Sequence, residues 1–247
     1  MLRDLKVALL FLTRLPVQID GKVSMRDLAG AVYAFPLVGA VVGLFGGLAF
    51  TGASLAGLPP LPCAILALTA MILVTGALHE DGLADTADGL GAGADRERAL
   101  AIMADSRIGS FGTLALIVSL LARLMVLAPM WDPRTVTAVL VASGMASRAL
   151  MGVVMLLQPS AKASGLAAAA GRPEPVRVML GSFIAIAGAV ALLPLPEATA
   201  ALLAATAASL LLATWLGRRL GGCTGDTLGA VQQTAEIAFL LAVASRH

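Results

Sequence analysis

Residues 28 to 78 contain no Asp, Glu, Lys or Arg. A charge-free run of that length is foreign to water-soluble domains, whose sequences return to polar residues every few positions. Charge is scarce throughout: of 247 residues 13% are charged and 59% hydrophobic, and the mean hydropathy is +0.92. Cysteine is nearly missing. Cys63 lies in the apolar run and Cys223 far from it, so neither a disulfide nor a thiolate metal site is expected. The two histidines are His79 and His247; with no second imidazole nearby, His79 reads as a polar residue marking a helix end. The glycine-rich stretch Gly89 to Ala94 is not followed by Gly-Lys-Ser/Thr, which excludes a P-loop. No nucleic-acid partner is expected.

What the chain has in abundance is membrane-length apolar sequence. As one helix, residues 28 to 78 would reach roughly 75 Å, about twice a bilayer's hydrocarbon core, and Pro59, Pro60 and Pro62 supply a break. Two spans follow, Ala31 to Leu55 and Leu61 to Leu78. Further spans are predicted over Gly109 to Leu127, Val136 to Leu157, Val178 to Leu193, Ala198 to Leu216 and Leu228 to Ala244. The predicted fold class is therefore all-α: a polytopic membrane bundle of about seven transmembrane helices, forming a single domain over residues 1–247. Leu2 to Leu15 is apolar too, but Lys6 and Arg14 interrupt it and no small-x-small cleavage site follows. An amphipathic helix lying in the interface is the reading for this segment.

Placing the N-terminus in the cytoplasm puts thirteen of the seventeen basic residues on that side: Arg3, Lys6, Arg14, Lys22, Arg26, Arg96, Arg98, Arg107, Lys162, Arg172, Arg177, Arg218 and Arg219. Only Arg134 and Arg246 fall opposite, and Arg123 and Arg148 fall inside spans. Such a bias orients the bundle. It gathers segment 80 to 107, loop 158 to 177 and loop 217 to 227 on one face. Arg123, Arg148 and Glu236 are costly inside lipid, so a partner or a polar cavity is expected for each.

The chemistry concentrates in HEDGLADTADG, His79 to Gly89. On a helix Asp81, Asp85 and Asp88 fall at i, i+4 and i+7, so three carboxylates share one face, with Glu80 beside them. Like charges so crowded repel unless a cation joins them. Hard divalent ions take oxygen ligands and bridge carboxylates to substrate phosphates, so the stripe points to metal-assisted phosphoryl chemistry at a membrane surface. A solvated cap on a span end is the competing reading. Asp95 is placed to cap a short helix running to Ala104. Asp105 then offers a further oxygen ligand and Arg107 a planar donor suited to phosphate, while Asp226 sits in a small-residue turn, GGCTGDTLGA, at a span entrance.

Six motifs carry a resemblance that extends over the whole chain: FLTRLPV at 11 to 17, AFPLVG at 34 to 39, HEDGLADTADGL at 79 to 90, ADSRIGSFG at 104 to 112, Ser147-Arg148, and GGCTGDTLGA at 221 to 230. In this order they resemble the adenosylcobinamide-GDP ribazoletransferases, or cobalamin synthases, with Cys223 the one departure. The resemblance implies an Mg²⁺-dependent enzyme of a bacterial cytoplasmic (inner) membrane. Its substrates would be adenosylcobinamide-GDP and α-ribazole or α-ribazole 5′-phosphate, and its products a cobalamin and GMP. It implies Asp81, Asp85, Asp88 and Asp105 as catalytic groups, Asp81, Asp85, Asp88 and Glu80 as metal ligands, and Ser106, Arg107, Arg148 and Asp226 as substrate contacts. A CDP-alcohol phosphotransferase shares the start of the stripe in Asp85-Thr-Ala-Asp88-Gly89, but where that family continues with Ala-Arg this chain has Ala92-Gly93. A transporter would place its polar site near the midplane with matching halves, and no such repeat is found.

Overall fold

The computed structural model describes all residues except Met1, Asp20, Ala92, Ala94, Ala163, Ser164, Arg246 and His247, together with the side chain of Leu166. Two alanines of the glycine-rich stretch, the basic Arg246 and the terminal His247 thus lie outside the described residues. The rest forms twelve α-helices, with one isolated bridge between Ser160 and Cys223 in place of any strand. They are α1 Leu2–Leu12, α2 Met25–Gly30, α3 Phe35–Leu55, α4 Pro60–Thr75, α5 Leu78–Gly91, α6 Arg96–Ile102, α7 Ser110–Leu127, α8 Pro133–Leu157, α9 Leu166–Ala170, α10 Pro175–Leu192, α11 Leu195–Leu220 and α12 Gly225–Ala244.

Among the described residues six segments are long and apolar enough to cross a membrane: Val32–Leu55, which joins a 3₁₀ turn to α3, and α7, α8, α10, α11 and α12. Each overlaps a predicted span. The fifth, short by sequence, gains a turn at its start because Pro175 and Glu174 can open a helix there. The second predicted span is different. α4 stops at Thr75, and the chain turns by 88° into α5, so the pair counts as a seventh span only if the broken segment is taken as one. The turn is made by two consecutive left-handed residues, Gly76 at φ 64° and Ala77 at φ 60°. Glycine adopts that region freely and alanine does not. Arg14 lies over Gly76, where a Cβ would collide with its side chain, and its backbone N–H donates to the Val74 carbonyl at 2.7 Å. The FLTRLPV segment therefore buttresses the bend that turns the acidic helix.

The central pair is α3 and α8. Gly39 and Gly43 pack on the backbone of Gly144 and Leu140, so close that a Cβ at either glycine would meet main-chain atoms, while a Cβ at Gly47 would meet the Thr137 side chain. Small residues every fourth position are what close helix packing in lipid requires, because apolar burial gives no advantage there. Many large apolar side chains face outward instead, with Leu48, Leu114, Leu121, Leu180 and Phe183 exposed.

Three loops meet at one end of the bundle. Arg96 donates through Nε to the Leu220 carbonyl and through Nη2 to the Ala161 carbonyl, both at 2.7 Å, and the backbone of Cys223 pairs with Pro159 and Ala161 at 2.8 Å. Arg96, Pro159 to Ala161 and Leu220 to Cys223 thereby tie three connecting segments together.

Candidate active site

Asp81 and Asp226 come together because two glycines let α5 and α12 touch. A Cβ on Gly82 would stand 2.7 Å from the Asp226 carbonyl oxygen, and one on Gly229 would stand 3.1 Å from the His79 carbonyl oxygen. With the helix backbones in contact, the carboxylates one residue before Gly82 and three before Gly229 lie on the same side of the crossing. Asp81 is exposed, while Asp85 and Asp226 are half-buried. Asp85 lies in the electrostatic field of Asp81, Asp226 and Asp88, and among the described residues Lys162 is the cation that acts on both Asp85 and Asp226. In the sequence Lys162 is marked only by its charge, since long-range folding alone brings it near these carboxylates.

The stripe does not act as one unit. Asp88, buried, accepts hydrogen bonds from the backbone N–H groups of Gly109, at 2.7 Å, and Gly112, at 2.8 Å. It thus caps α7 from outside, where unpaired N–H groups favour an anion. A side chain on Gly109 or Gly112 would collide with that carboxylate, which accounts for the glycines in ADSRIGSFG.

Glu80 also points away from the exposed carboxylates. Its Oε1 accepts from Arg123 at 3.4 Å and from Gln233 at 3.1 Å. Arg123 bridges onward to Glu236 at 3.4 Å, and Arg148, expected to contact substrate, stands 4.0 Å from Glu236 and donates to the Gly144 carbonyl. Gln232 donates to Glu236 at 2.7 Å and to Ser147 at 3.0 Å. All of these side chains are buried. The ionisable residues inside spans therefore have partners: two arginines and two glutamates balance in charge at the junction of α5, α7, α8 and α12.

Asp95 caps α6 as its position suggests, accepting from the Arg98 N–H at 2.9 Å. Asp105 and Arg107 pair with each other, Nη2 to Oδ2 at 2.6 Å, and the Arg107 backbone N–H donates to Asp105 at 3.1 Å. These bonds hold the Asp105 carboxyl below its usual range, which keeps it ionised and makes it a weak base. Arg107 and the neighbouring Ser106 are exposed. Among the described residues no three His, Cys, Asp or Glu side chains already converge as a metal cage.

A cavity of about 180 Å³ opens beside the carboxylates. Phe11 and Leu12 of α1, Phe35 of α3, and Met151 and Met155 of α8 form apolar walls; His79, Asp81 and Asp226 supply its polar side. The Nε2 atom of His79 is buried and has no hydrogen-bond partner among protein atoms.

Fold and site together define a polytopic helical membrane protein with a carboxylate-lined centre at one end of the bundle. The cobalamin-5-phosphate synthase family profile matches residues 4–244, and the chain belongs to that family. It is similar to proteins named adenosylcobinamide-GDP ribazoletransferase. The one from Bradyrhizobium diazoefficiens is 45% identical over 98% of this chain and 93% of its own length. That from Mesorhizobium japonicum is 45% identical over 97% and 92%, and that from Azorhizobium caulinodans 43% identical over 98% and 95%. No solved structure shows significant similarity to the chain.

Proposed function

We propose that this protein transfers the adenosylcobinamide phosphoryl group of adenosylcobinamide-GDP to α-ribazole or its 5′-phosphate, releasing GMP and completing a cobalamin. The observation that carries the reading is that Asp81 and Asp226 share one largely apolar cavity, with Asp85 and Lys162 in electrostatic range, in a chain alike over its whole length to proteins named for this reaction. Whole-chain family membership leaves the CDP-alcohol and transporter readings unfavoured.

The donor set suits Mg²⁺. It is all carboxylate oxygen, and Mg²⁺ is usually held by one or two carboxylates with water and substrate phosphate, so a preformed three-ligand cage is not needed. Asp81 and Asp85 would hold the ion. When bound, it neutralises the diphosphate and the departing phosphate charge. The chain's own groups do the rest. A ribose hydroxyl of the acceptor attacks the phosphorus nearest the corrinoid; the new O–P bond forms as the bond to the GMP phosphate oxygen breaks. Asp226, half-buried at the cavity wall, accepts the hydroxyl proton. Lys162 and Arg107 offset charge on phosphate oxygens, with Ser106 as a hydroxyl donor beside them. Glu80, Asp88 and Arg148 act in this scheme as positioning residues that fix α5 and its neighbours. Purified protein given Mg²⁺, adenosylcobinamide-GDP and each acceptor should yield a cobalamin mass and equimolar GMP, both abolished by EDTA. Absence of the corrinoid product with every acceptor would overturn the reading.

The catalytic end faces the cytoplasm in this proposal, in a bacterial inner membrane with the N-terminus inside, an orientation supported by the thirteen basic residues it places on that side. Cys63 and Cys223 are buried, so background thiol labelling is low. In intact cells an impermeant reagent should spare Ala168→Cys and label Asp132→Cys; the reverse pattern would invert the orientation.

A further inference from the structure

Resting on the proposed reaction, we infer that the cavity beside Asp81 and Asp226 holds the benzimidazole base of the acceptor nucleoside, with its free ring nitrogen facing His79. The size selects the occupant. Ligand sites for whole drug-sized molecules run from about 300 Å³ upward, whereas an apolar cavity of roughly 150 Å³ takes a single benzene ring. At about 180 Å³ this one admits a flat aromatic base and excludes a nucleotide or a corrinoid. The chemistry narrows it further. Phe11, Phe35, Met151 and Met155 offer aromatic and thioether surface, which favours a planar π-system.

A purely apolar ligand, such as an acyl chain, would leave the cavity's polar side unexplained. The buried Nε2 of His79 lacks a protein partner, and a buried polar atom without one is costly. An imine nitrogen accepts from a protonated Nε2 and removes that deficit. Seating the base here places the attached ribose at the mouth, where Asp81 and Asp226 stand. The acceptor hydroxyl then meets the carboxylates as a consequence of where the base is held. Affinity for the acceptor would thus reside in the cavity, and reactivity in the acids outside it.

The test separates acceptor binding from turnover. Equilibrium dialysis of radiolabelled α-ribazole against detergent-purified protein measures binding without the donor, and GMP release measures the reaction. Met155→Phe, which puts a rigid ring in place of a flexible wall and narrows the cavity, should weaken α-ribazole binding and raise the acceptor KM at least tenfold, with the KM for adenosylcobinamide-GDP within twofold of wild type. The wild-type protein provides an independent arm should that variant fail to fold. The riboside of unsubstituted benzimidazole should bind roughly tenfold more weakly than that of the dimethyl base, the loss expected for two buried methyl groups. Unchanged binding in Met155→Phe, or equal binding of the two ribosides, would leave the cavity to a lipid chain and overturn the inference. Cavity-dependent α-ribazole binding without GMP release would keep the inference and defeat the proposed reaction. GMP release with acceptor binding that ignores the cavity would do the opposite.

Discussion

Asp81→Asn and Asp85→Asn should each reduce turnover by about a thousandfold while leaving the protein folded and inserted. Losing a metal-bound oxyanion stabiliser removes several kcal/mol from the transition state, and each 1.36 kcal/mol is a factor of ten. Folding should be untouched, because Asp81 is exposed and Asp85 half-buried, and the charges acting on Asp85 are mainly other carboxylates. Removing one charge from that group relieves repulsion, so thermal stability without metal should hold or rise slightly. Asp88→Asn separates this chemistry from architecture. Its carboxylate takes two N–H groups at the start of α7, so the substitution should cost about 1 kcal/mol of stability, as loss of a helix cap does, and leave turnover within roughly tenfold. Activity above half of wild type in both Asp81→Asn and Asp85→Asn at saturating substrate and low Mg²⁺ would remove the stripe from catalysis. A thousandfold loss in Asp88→Asn at wild-type stability would return that residue to the metal site.

The membrane architecture was legible because lipid imposes a length and a polarity on each span, and both can be read locally. Val32–Leu55, Ser110–Leu127 and Pro133–Leu157 end within three residues of the predicted boundaries. The bend after Thr75 was not legible: hydropathy continues to Leu78, and the left-handed pair Gly76-Ala77 depends on Arg14 packing from a distant segment. In the site, helical spacing correctly placed Asp81, Asp85 and Asp88 on one face of α5, but spacing cannot say what that face meets. Its first turn opens on the cavity, whereas its last turn runs into the exposed N–H groups of α7 and turns Asp88 into a cap. Glu80, one residue from Asp81, is rotated about 100° around the helix and meets Arg123 instead. Adjacent acids in sequence thus have separate tasks, and only the neighbouring helices decide which.

Those neighbours make the largest expected effect on stability. Glu236→Ala should destabilise the protein by about 3–5 kcal/mol, the range for removing one member of a buried ion pair, because Arg123 and Arg148 would then share Glu80 as their one acidic partner in this buried cluster. Arg123→Ala should fall in the same range, leaving Glu80 without its ion-pair partner and Arg148 as the one cation beside Glu236 in this buried cluster. The double variant Arg148→Met with Glu236→Leu tests the cause. It removes one cation and one anion of similar volume, keeps the Arg123 to Glu80 pair, and should recover most of the loss, since apolar replacement of a buried pair is often neutral. Unfolding by a denaturing detergent in mixed micelles gives the comparison. A cost below about 1 kcal/mol for Glu236→Ala, or additive losses in the double variant, would mean that water reaches the network and that the charges are not coupled. Activity should follow Glu80 more closely than Glu236. Glu80 anchors the first turn of α5 to α7 and α12, and Asp81 is its neighbour, so Glu80→Ala should lower kcat even where the fold survives, as misplacement of a reacting group by 1 Å is enough to cost about a hundredfold. On the proposed mechanism the intramembrane charges would then matter to catalysis through position alone, by fixing the azimuth at which α5 presents Asp81 and Asp85 to the substrate diphosphate.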